Sequence, residues 1–456
     1  MARQRVPRTS SSEFVAAHRT PRGYSNCAFT SVKRGVIGAV DAAPASGSAL
    51  TQSEAASRLQ DYFSAACRLA VPISGDRRDE KSVPTKIMTV LGTRPEAIKL
   101  APVILQAQAR PAEFDVTVCV TAQHREMLDQ VLELFRIAPD VDLGLMRPNQ
   151  NLCELTASII TALRPVLLRV RPDWVLVQGD TTTVWTAALA AFYEGVPVGH
   201  VEAGLRTFDK RQPFPEEINR RLCTQLTDLH FAPTEWARQN LLQERVAERQ
   251  IVVTGNTVID ALLWVLDRIR TDPTPDVVEI QRWANEHIGD RRMVLITGHR
   301  RESFGEGFEN ICRAILKLSQ AFADVGWVYP VHLNPNVQEP VRRFLAQRPN
   351  VHLLAPLPYA SFAWLMQRCT LILTDSGGVQ EEAPTLKKPV VVMRNTTERP
   401  EGVQAGLVKL VGNEELRIVA GVTASLTGDA PRDVENPYGD GRASGRILDA
   451  LLRYEA

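Results

Sequence analysis

From Lys86 onward the chain alternates between short runs rich in β-branched residues and amphipathic stretches, and it does so in two series. The first reads KIMTVLG, a helical stretch, FDVTVCVTA, a second helix, DWVLVQGD, the helical TTVWTAALAAFYEG, and VPVGHVEAG. The second opens at Met293 with MVLITG and continues through WVYPVHL, VHLLAP, TLILTDSGG, PVVVMR and LVKLVG. Strands spaced by helices in this way pair in parallel and carry the helices on their faces. The expected fold class is therefore α/β with two units: 85–256, then a mainly helical bridge at 257–290, then 291–442, with an amphipathic helix at 443–456 closing the chain. With 456 residues, 44% of them hydrophobic and 23% charged, each unit has enough apolar sequence for its own core.

Residues 1–84 have a different composition. Ser, Ala and Arg dominate, acids are few at the start, and the one helical-looking piece runs roughly from Thr51 to Leu69. Such a segment is expected to be mostly disordered. Its composition fits an organelle transit peptide, a start codon assigned too far upstream, or a genuine tail.

The net charge of +1 provides no global field for nucleic acid or an acidic membrane, and no Lys/Arg cluster interleaved with aromatics occurs in the body. The seven cysteines are scattered, with no CxxC and no Cys/His pair at metal spacing, which points to a reducing, cytoplasmic setting without a metal centre. No apolar run is long enough to span a bilayer. GxGxxG after a strand, GxxxxGK[ST], HExxH and GxSxG are all absent, which removes the sequence support for bound NAD, a Walker NTPase, a zincin or a typical serine hydrolase.

Ligands of open parallel sheets bind beyond the carboxyl ends of the strands, and the polar clusters fall there. They are GTRPE (92–96), GDTTT (179–183), HVEAGLRT (200–207), TGHRRES (297–303) and TDSGG (374–378). Ser376, Gly377 and Gly378 offer backbone amides for a diphosphate at a strand-to-helix turn, although such a turn needs glycine even without a ligand. Glu382, one turn on, is placed for the two hydroxyls of a ribose, and Pro384 implies a short or kinked helix. Arg94 has a planar fork suited to phosphate, the competing reading being an ion pair with Glu96. His299 ends a strand between Gly298 and two arginines, and His332 also ends one. Asp180, Glu202 and Glu216 are acids able to converge on one face. Together they can move protons if burial or mutual repulsion shifts one of them toward neutrality.

The segments KIMTVLGTRPEAIKLAPV, VTAQHREMLDQVLELF, VQGDTTT, GHVEAGLRT, PFPEEINRRL, VTGNTVIDALLW, TGHRRESFG, VYPVHLNPNV, LTDSGGVQEEAPTLKKPVVVMRNTTERPE and NPYGDG resemble, in order, the non-hydrolysing UDP-N-acetylglucosamine 2-epimerases of bacteria. The resemblance runs from about Lys86 to Leu452. It implies two Rossmann-like domains facing a central cleft, a glycosyltransferase-B-like fold, in a homodimer. It also implies interconversion of UDP-N-acetylglucosamine and UDP-N-acetylmannosamine without a cofactor, through loss and return of UDP and a 2-acetamidoglucal intermediate.

By motif, Asp180, Glu202 and Glu216 match the family's catalytic acids and His299 its active-site histidine. Arg94, Lys99, Ser376, Gly377, Gly378, Glu382 and Arg399 match nucleotide-binding positions, with Phe362 near the uracil. Gln123, Arg300 and His332 match a second, activating nucleotide-sugar site. Two features depart from the pattern: the first 84 residues have no counterpart, Val83 being a candidate GTG start, and Leu357 stands where some members carry a polar residue. A UDP-sugar-dependent glycosyltransferase and a hydrolysing 2-epimerase are the competing functions.

Overall fold

The computed structural model describes residues 83–121, 125–147, 150–428 and 434–454. The expectations for residues 1–82, and the assignment of Gln123, lie outside the described residues. Two parallel sheets form the body. The first contains β1 (Thr85–Leu91), β2 (Phe114–Val120), β3 (Val141–Asp142), β4 (Trp174–Gln178), β5 (Val198–Val201), β6 (Leu229–Ala232) and β7 (Ile251–Val253), in the spatial order 3-2-1-4-5-6-7. The second contains β8 (Met293–Thr297), β9 (Gly326–Pro330), β10 (Val351–Leu354), β11 (Leu371–Thr374), β12 (Val390–Val392) and β13 (Val408–Leu410), in the order 10-9-8-11-12-13.

The strands with continuous apolar runs lie inside. β4 and β5 are buried at every position, as are β11 and β12, because helices cover both faces. Each fully buried apolar side chain contributes ~1.5–3 kcal/mol. Three short strands, β3, β6 and β7, were not part of the expected alternation.

In both sheets the chain runs outward from the centre in one direction and then returns to build the other half, so each sheet has a switch point, between β1 and β4 and between β8 and β11. Loops leaving adjacent strands there diverge and open a crevice. The helices Thr257–Thr271 and Pro275–His287 lie in the segment between the sheets. The final helix, Ala443–Arg453, returns to the first half, packing on helix Arg94–Gln108 and helix Thr257–Thr271. Asp260 accepts hydrogen bonds from the amides of Ala443 (3.2 Å) and Ser444 (2.8 Å) at its start, and Tyr454 meets Trp174 edge-on at its end. No helix among the described residues is long and apolar enough to cross a membrane.

Candidate functional site

A cleft of about 770 Å³ lies between the carboxyl ends of the two sheets. The loops that follow the switch-point strands line it: Thr93 and Arg94 after β1, Gly179 and Asp180 after β4, Gly298 to Arg300 after β8, and Ser376 to Gly378 after β11.

On the first wall, Glu96 is the third residue of helix Arg94–Gln108, and its carboxylate turns back to accept from the Gly92 amide (2.6 Å) and the hydroxyls of Thr93 (3.0 Å) and Thr181 (2.6 Å). It therefore fastens the loops after β1 and β4 together, as a capping glutamate does. Burial pushes this carboxyl up to about 7. The pairing of Arg94 with Glu96 is consequently not formed, and Arg94 lies exposed on the cleft wall.

One turn further, the Lys99 ammonium lies 2.6 Å from both oxygens of Glu202. Glu202 also accepts from Gln178 and, at 3.3 Å, from Asn256. Its backbone sits at φ +67°, a left-handed conformation that costs a non-glycine residue of order 1 kcal/mol and recurs at functional positions. The neighbouring His200 is structural. Its Nε2 donates to the Gly179 carbonyl at 2.8 Å, and burial pulls the ring down to about 4.

Asp180 accepts from the Arg220 guanidinium at 2.7 and 3.0 Å. Glu216 opens helix Glu216–Leu226, half-buried beside it. Burial first, and then the Asp180 charge, push the Glu216 carboxyl above the usual range. Its neighbour Glu217 is fully buried and holds Arg220, Arg221 and the amides of Thr207 and Phe208, so it serves the loop and not the cleft.

The second wall is built around a helix of six residues, Gly377–Glu382, which passes into a 3-10 turn at Ala383, as Pro384 leads one to expect. The Arg399 guanidinium lies against Gly377 so closely that a Cβ there would meet Nη1 at 2.6 Å. Arg399 is held by Glu381 (2.5 Å) and Glu398 (2.6 Å), and Arg394 binds the far side of Glu398 at 3.0 Å. Two contacts join the walls: Glu381 lies 3.6 Å from Lys99, and Arg399 lies 3.9 Å from Glu202.

Glu382 is buried and accepts from the Tyr359 hydroxyl. Burial pushes its carboxyl up to about 7. Phe362 is half-buried, with Leu357 nearby on the same wall. His299 stacks on His332 with ring centroids 5.3 Å apart.

Every described residue singled out from the sequence lines this one cleft: Asp180, Glu202, Glu216, His299, Arg94, Lys99, Phe362, Ser376, Gly377, Gly378, Glu382, Arg399, Arg300 and His332. Arg300 and His332 thus share the cavity with the others and do not form a separate pocket. Sequence reasoning missed Gln178, Tyr359, Arg220, Glu398 and, beneath the wall, Asp375 and Glu381. Each lies within or beside a quoted motif, or at a strand end. Among the described residues, no group of three or more His, Cys, Asp and Glu is placed to hold a metal ion.

The profile of the family described as UDP-N-acetylglucosamine 2-epimerase matches residues 106–452. The chain belongs to that family. The UDP-N-acetylglucosamine 2-epimerase of Escherichia coli K12 is 56% identical over 372 residues, covering 80% of this chain and 98% of the relative. The Campylobacter jejuni protein of the same name is 47% identical over 375 residues, 81% and 97% of the two chains. Among solved structures, the Neisseria meningitidis 2-epimerase bound to UDP-GlcNAc superposes with a TM-score of 0.77 at 49% identity, over 81% of this chain and all of that one. The Methanocaldococcus jannaschii enzyme in complex with UDP-GlcNAc and UDP gives 0.69 at 34% identity, over 81% and 99%. The two facing Rossmann-like domains are thus the glycosyltransferase-B-like arrangement of the 2-epimerase family.

Proposed function

We propose that the chain interconverts UDP-N-acetylglucosamine and UDP-N-acetylmannosamine by eliminating UDP across C1–C2 and adding it back. One observation carries this reading: three carboxylates, Asp180, Glu202 and Glu216, line a single cleft with the cations Arg94 and Arg399 and the imidazole of His299. A carboxylate takes the C2 proton, and the C–H electron pair becomes the C1–C2 double bond. The C1–O bond breaks with its pair on the β-phosphate oxygen, where cationic donors stabilise the developing charge. Protonation of C2 from the opposite face, with re-addition of UDP, completes the epimerisation. The sequence is redox-neutral and consumes no co-reactant.

The residues divide accordingly. Glu202, balanced by the Lys99 ammonium, is suited to act as a base. Glu216, which holds its proton to higher pH, is suited to return one, and Asp180 tunes it. Arg94, Lys99 and Arg399, with the amides of Ser376, Gly377 and Gly378, take the diphosphate; Glu382 takes the ribose and Phe362 lies by the uracil. Arg300 and His332 form the wall at which a second nucleotide sugar would activate. A second phase in UDP-N-acetylglucosamine titrations, lost in Arg300→Ala, checks that assignment.

Proton NMR of the enzyme with UDP-N-acetylglucosamine in D2O decides the reaction. UDP-N-acetylmannosamine bearing deuterium at C2 is expected; accumulation of free sugar and UDP means hydrolysis, and no reaction without an acceptor means transfer. Glu202→Gln is expected to lower turnover ~10²–10⁴-fold with UDP binding largely kept. Near-normal turnover in that variant removes Glu202 from the chemistry. A homodimer acting in the cytoplasm on precursors of surface polysaccharide completes the proposal. A monomeric mass in sedimentation, or unaltered N-acetylmannosamine in the polysaccharide of a deletion strain, would count against those parts.

A further inference from the structure

Asp375, just past β11, has no exposed surface. Its Oδ2 accepts from the backbone amides of His299 (2.7 Å) and Arg300 (2.8 Å), which fixes the loop after β8. Its other oxygen, Oδ1, is buried without a hydrogen-bond partner, an arrangement a carboxylate tolerates poorly. The group facing that oxygen is the His299 imidazole, whose Nδ1 lies 3.6 Å away. That is beyond a hydrogen bond, but a small slide of the ring against His332, to which it is parallel within 13°, closes the gap. The other face of the stack is fixed, since His332 Nδ1 accepts from the Asn334 amide at 3.1 Å.

We propose that Asp375 is a positioning residue for His299. Its buried carboxylate holds the loop and takes Nδ1–H, so that Nε2 is the nitrogen presented to the cleft. This rests on the epimerase reading for its consequence. The donor is the imidazolium form, with protons on both nitrogens: as the C1–O bond breaks, the β-phosphate oxygen receives the electron pair and Nε2–H donates to it, leaving the ring neutral with its proton on Nδ1, and on re-addition the proton returns to Nε2. A carboxylate behind an imidazole fixes tautomer and orientation in the same way in other enzymes.

Charged or titratable groups reach His299 from every side. Asp375 comes from the end of β11, His332 from the end of β9, Arg300 is adjacent in the chain, and Arg94 comes from the helix after β1. Of these four, Asp375 alone is an anion. Burial pulls the imidazole below its ordinary value, and Asp375 is the neighbour that opposes the fall. With 42% of its side chain open to solvent, the ring keeps part of its hydration.

Two measurements test the proposal. In the full-length protein carrying 15N-histidine, with His299→Gln to assign the ring, two-bond 1H–15N correlations should show neutral His299 protonated on Nδ1; protonation on Nε2 overturns the proposal. This readout needs no turnover and no variant of Asp375. It therefore stands if Asp375→Asn fails to fold, and it separates failure of this inference from failure of the epimerase reading, which the D2O experiment reports.

In Asp375→Asn, the side-chain oxygen still accepts from the two amides, so UDP affinity should stay within about threefold. The negative charge is lost, so the His299 pKa should fall by about one unit or more and carry the alkaline limb of kcat to lower pH. The turnover itself should fall ~10²-fold. An unmoved limb and imidazole pKa, with only the thermal stability reduced, would mean that Asp375 is purely structural.

Discussion

Burial pushes the Glu382 carboxyl up to about 7, with Glu381 adding to the rise and the Tyr359 hydroxyl opposing it. In the folded protein this group keeps its proton through a range where the unfolded chain has lost it. The stability it contributes is complete below about pH 4.5 and is lost as pH rises through 7, by up to ~3 kcal/mol. Glu382→Gln removes that dependence. Its melting temperature relative to the parent is therefore expected to rise between pH 5 and pH 8, and a difference that stays constant would contradict the assignment. Glu96 has the same sign and remains as background in both proteins. Site residues that end strands were legible in the sequence, because polarity at the carboxyl end of an apolar run is a local signal. Glu381 was not. It adjoins Glu382 in the chain, but its role depends on Arg399 and on Lys99 from the opposite wall, and no spacing within one motif reports that juxtaposition. Asp375 escaped for the same reason: its partners are amides after β8, brought alongside by the pairing of β8 with β11.

At the scale of elements, two adjacent glycines of one short helix have different duties. A Cβ at Gly377 would meet the Arg399 guanidinium at 2.6 Å (Nη1) and 2.8 Å (Cζ), whereas one at Gly378 would have nothing nearer than a Glu382 oxygen at 4.0 Å. Arg399 is pinned by two carboxylates and cannot easily yield. Gly377→Ala is expected to cost ~1–3 kcal/mol of stability. Gly378→Ala should be neutral or slightly stabilising in the ligand-free protein, since it reduces the freedom of the unfolded chain. Thermal unfolding of the two variants checks the contrast, and equal losses would refute it. The sequence identified this turn, and the helix break at Pro384, because glycine and proline act locally. It did not reveal β3, β6 and β7, which span two to four residues each. A two-residue strand such as β3 carries no periodicity, whereas β6 and β7 are as long as the legible β11 and β12, so length does not account for their absence from the expected alternation.

Over the whole molecule, the chain passes between the halves twice, and the two crossings touch. The Asn256 amide donates to the Tyr438 carbonyl at 2.7 Å, and a Cβ on Gly255 would lie 3.3 Å from the Gly439 Cα. Both glycines have positive φ, +86° and +139°, and only a bare backbone fits there. Away from this crossing, charge spans the cleft: Glu381 of the second half faces Lys99, and Arg399 faces Glu202 of the first. Glu381 holds Arg399 directly, so it governs both contacts. We propose that these ion pairs latch the halves together before substrate arrives, and that the diphosphate takes over the two cations as the cleft closes around the reactive intermediate. Without the Glu381 charge, Arg399 keeps Glu398 and Lys99 keeps Glu202, but the buried cluster is one negative charge short, a cost that opening the cleft to water would relieve. Glu381→Gln should therefore show a larger radius of gyration than the parent in solution scattering without ligand, and UDP should return it toward the parent value. If the two proteins scatter alike without UDP, these pairs are not a latch. If UDP compacts neither protein, closure itself is excluded, and the intermediate must be shielded by the walls as they already stand.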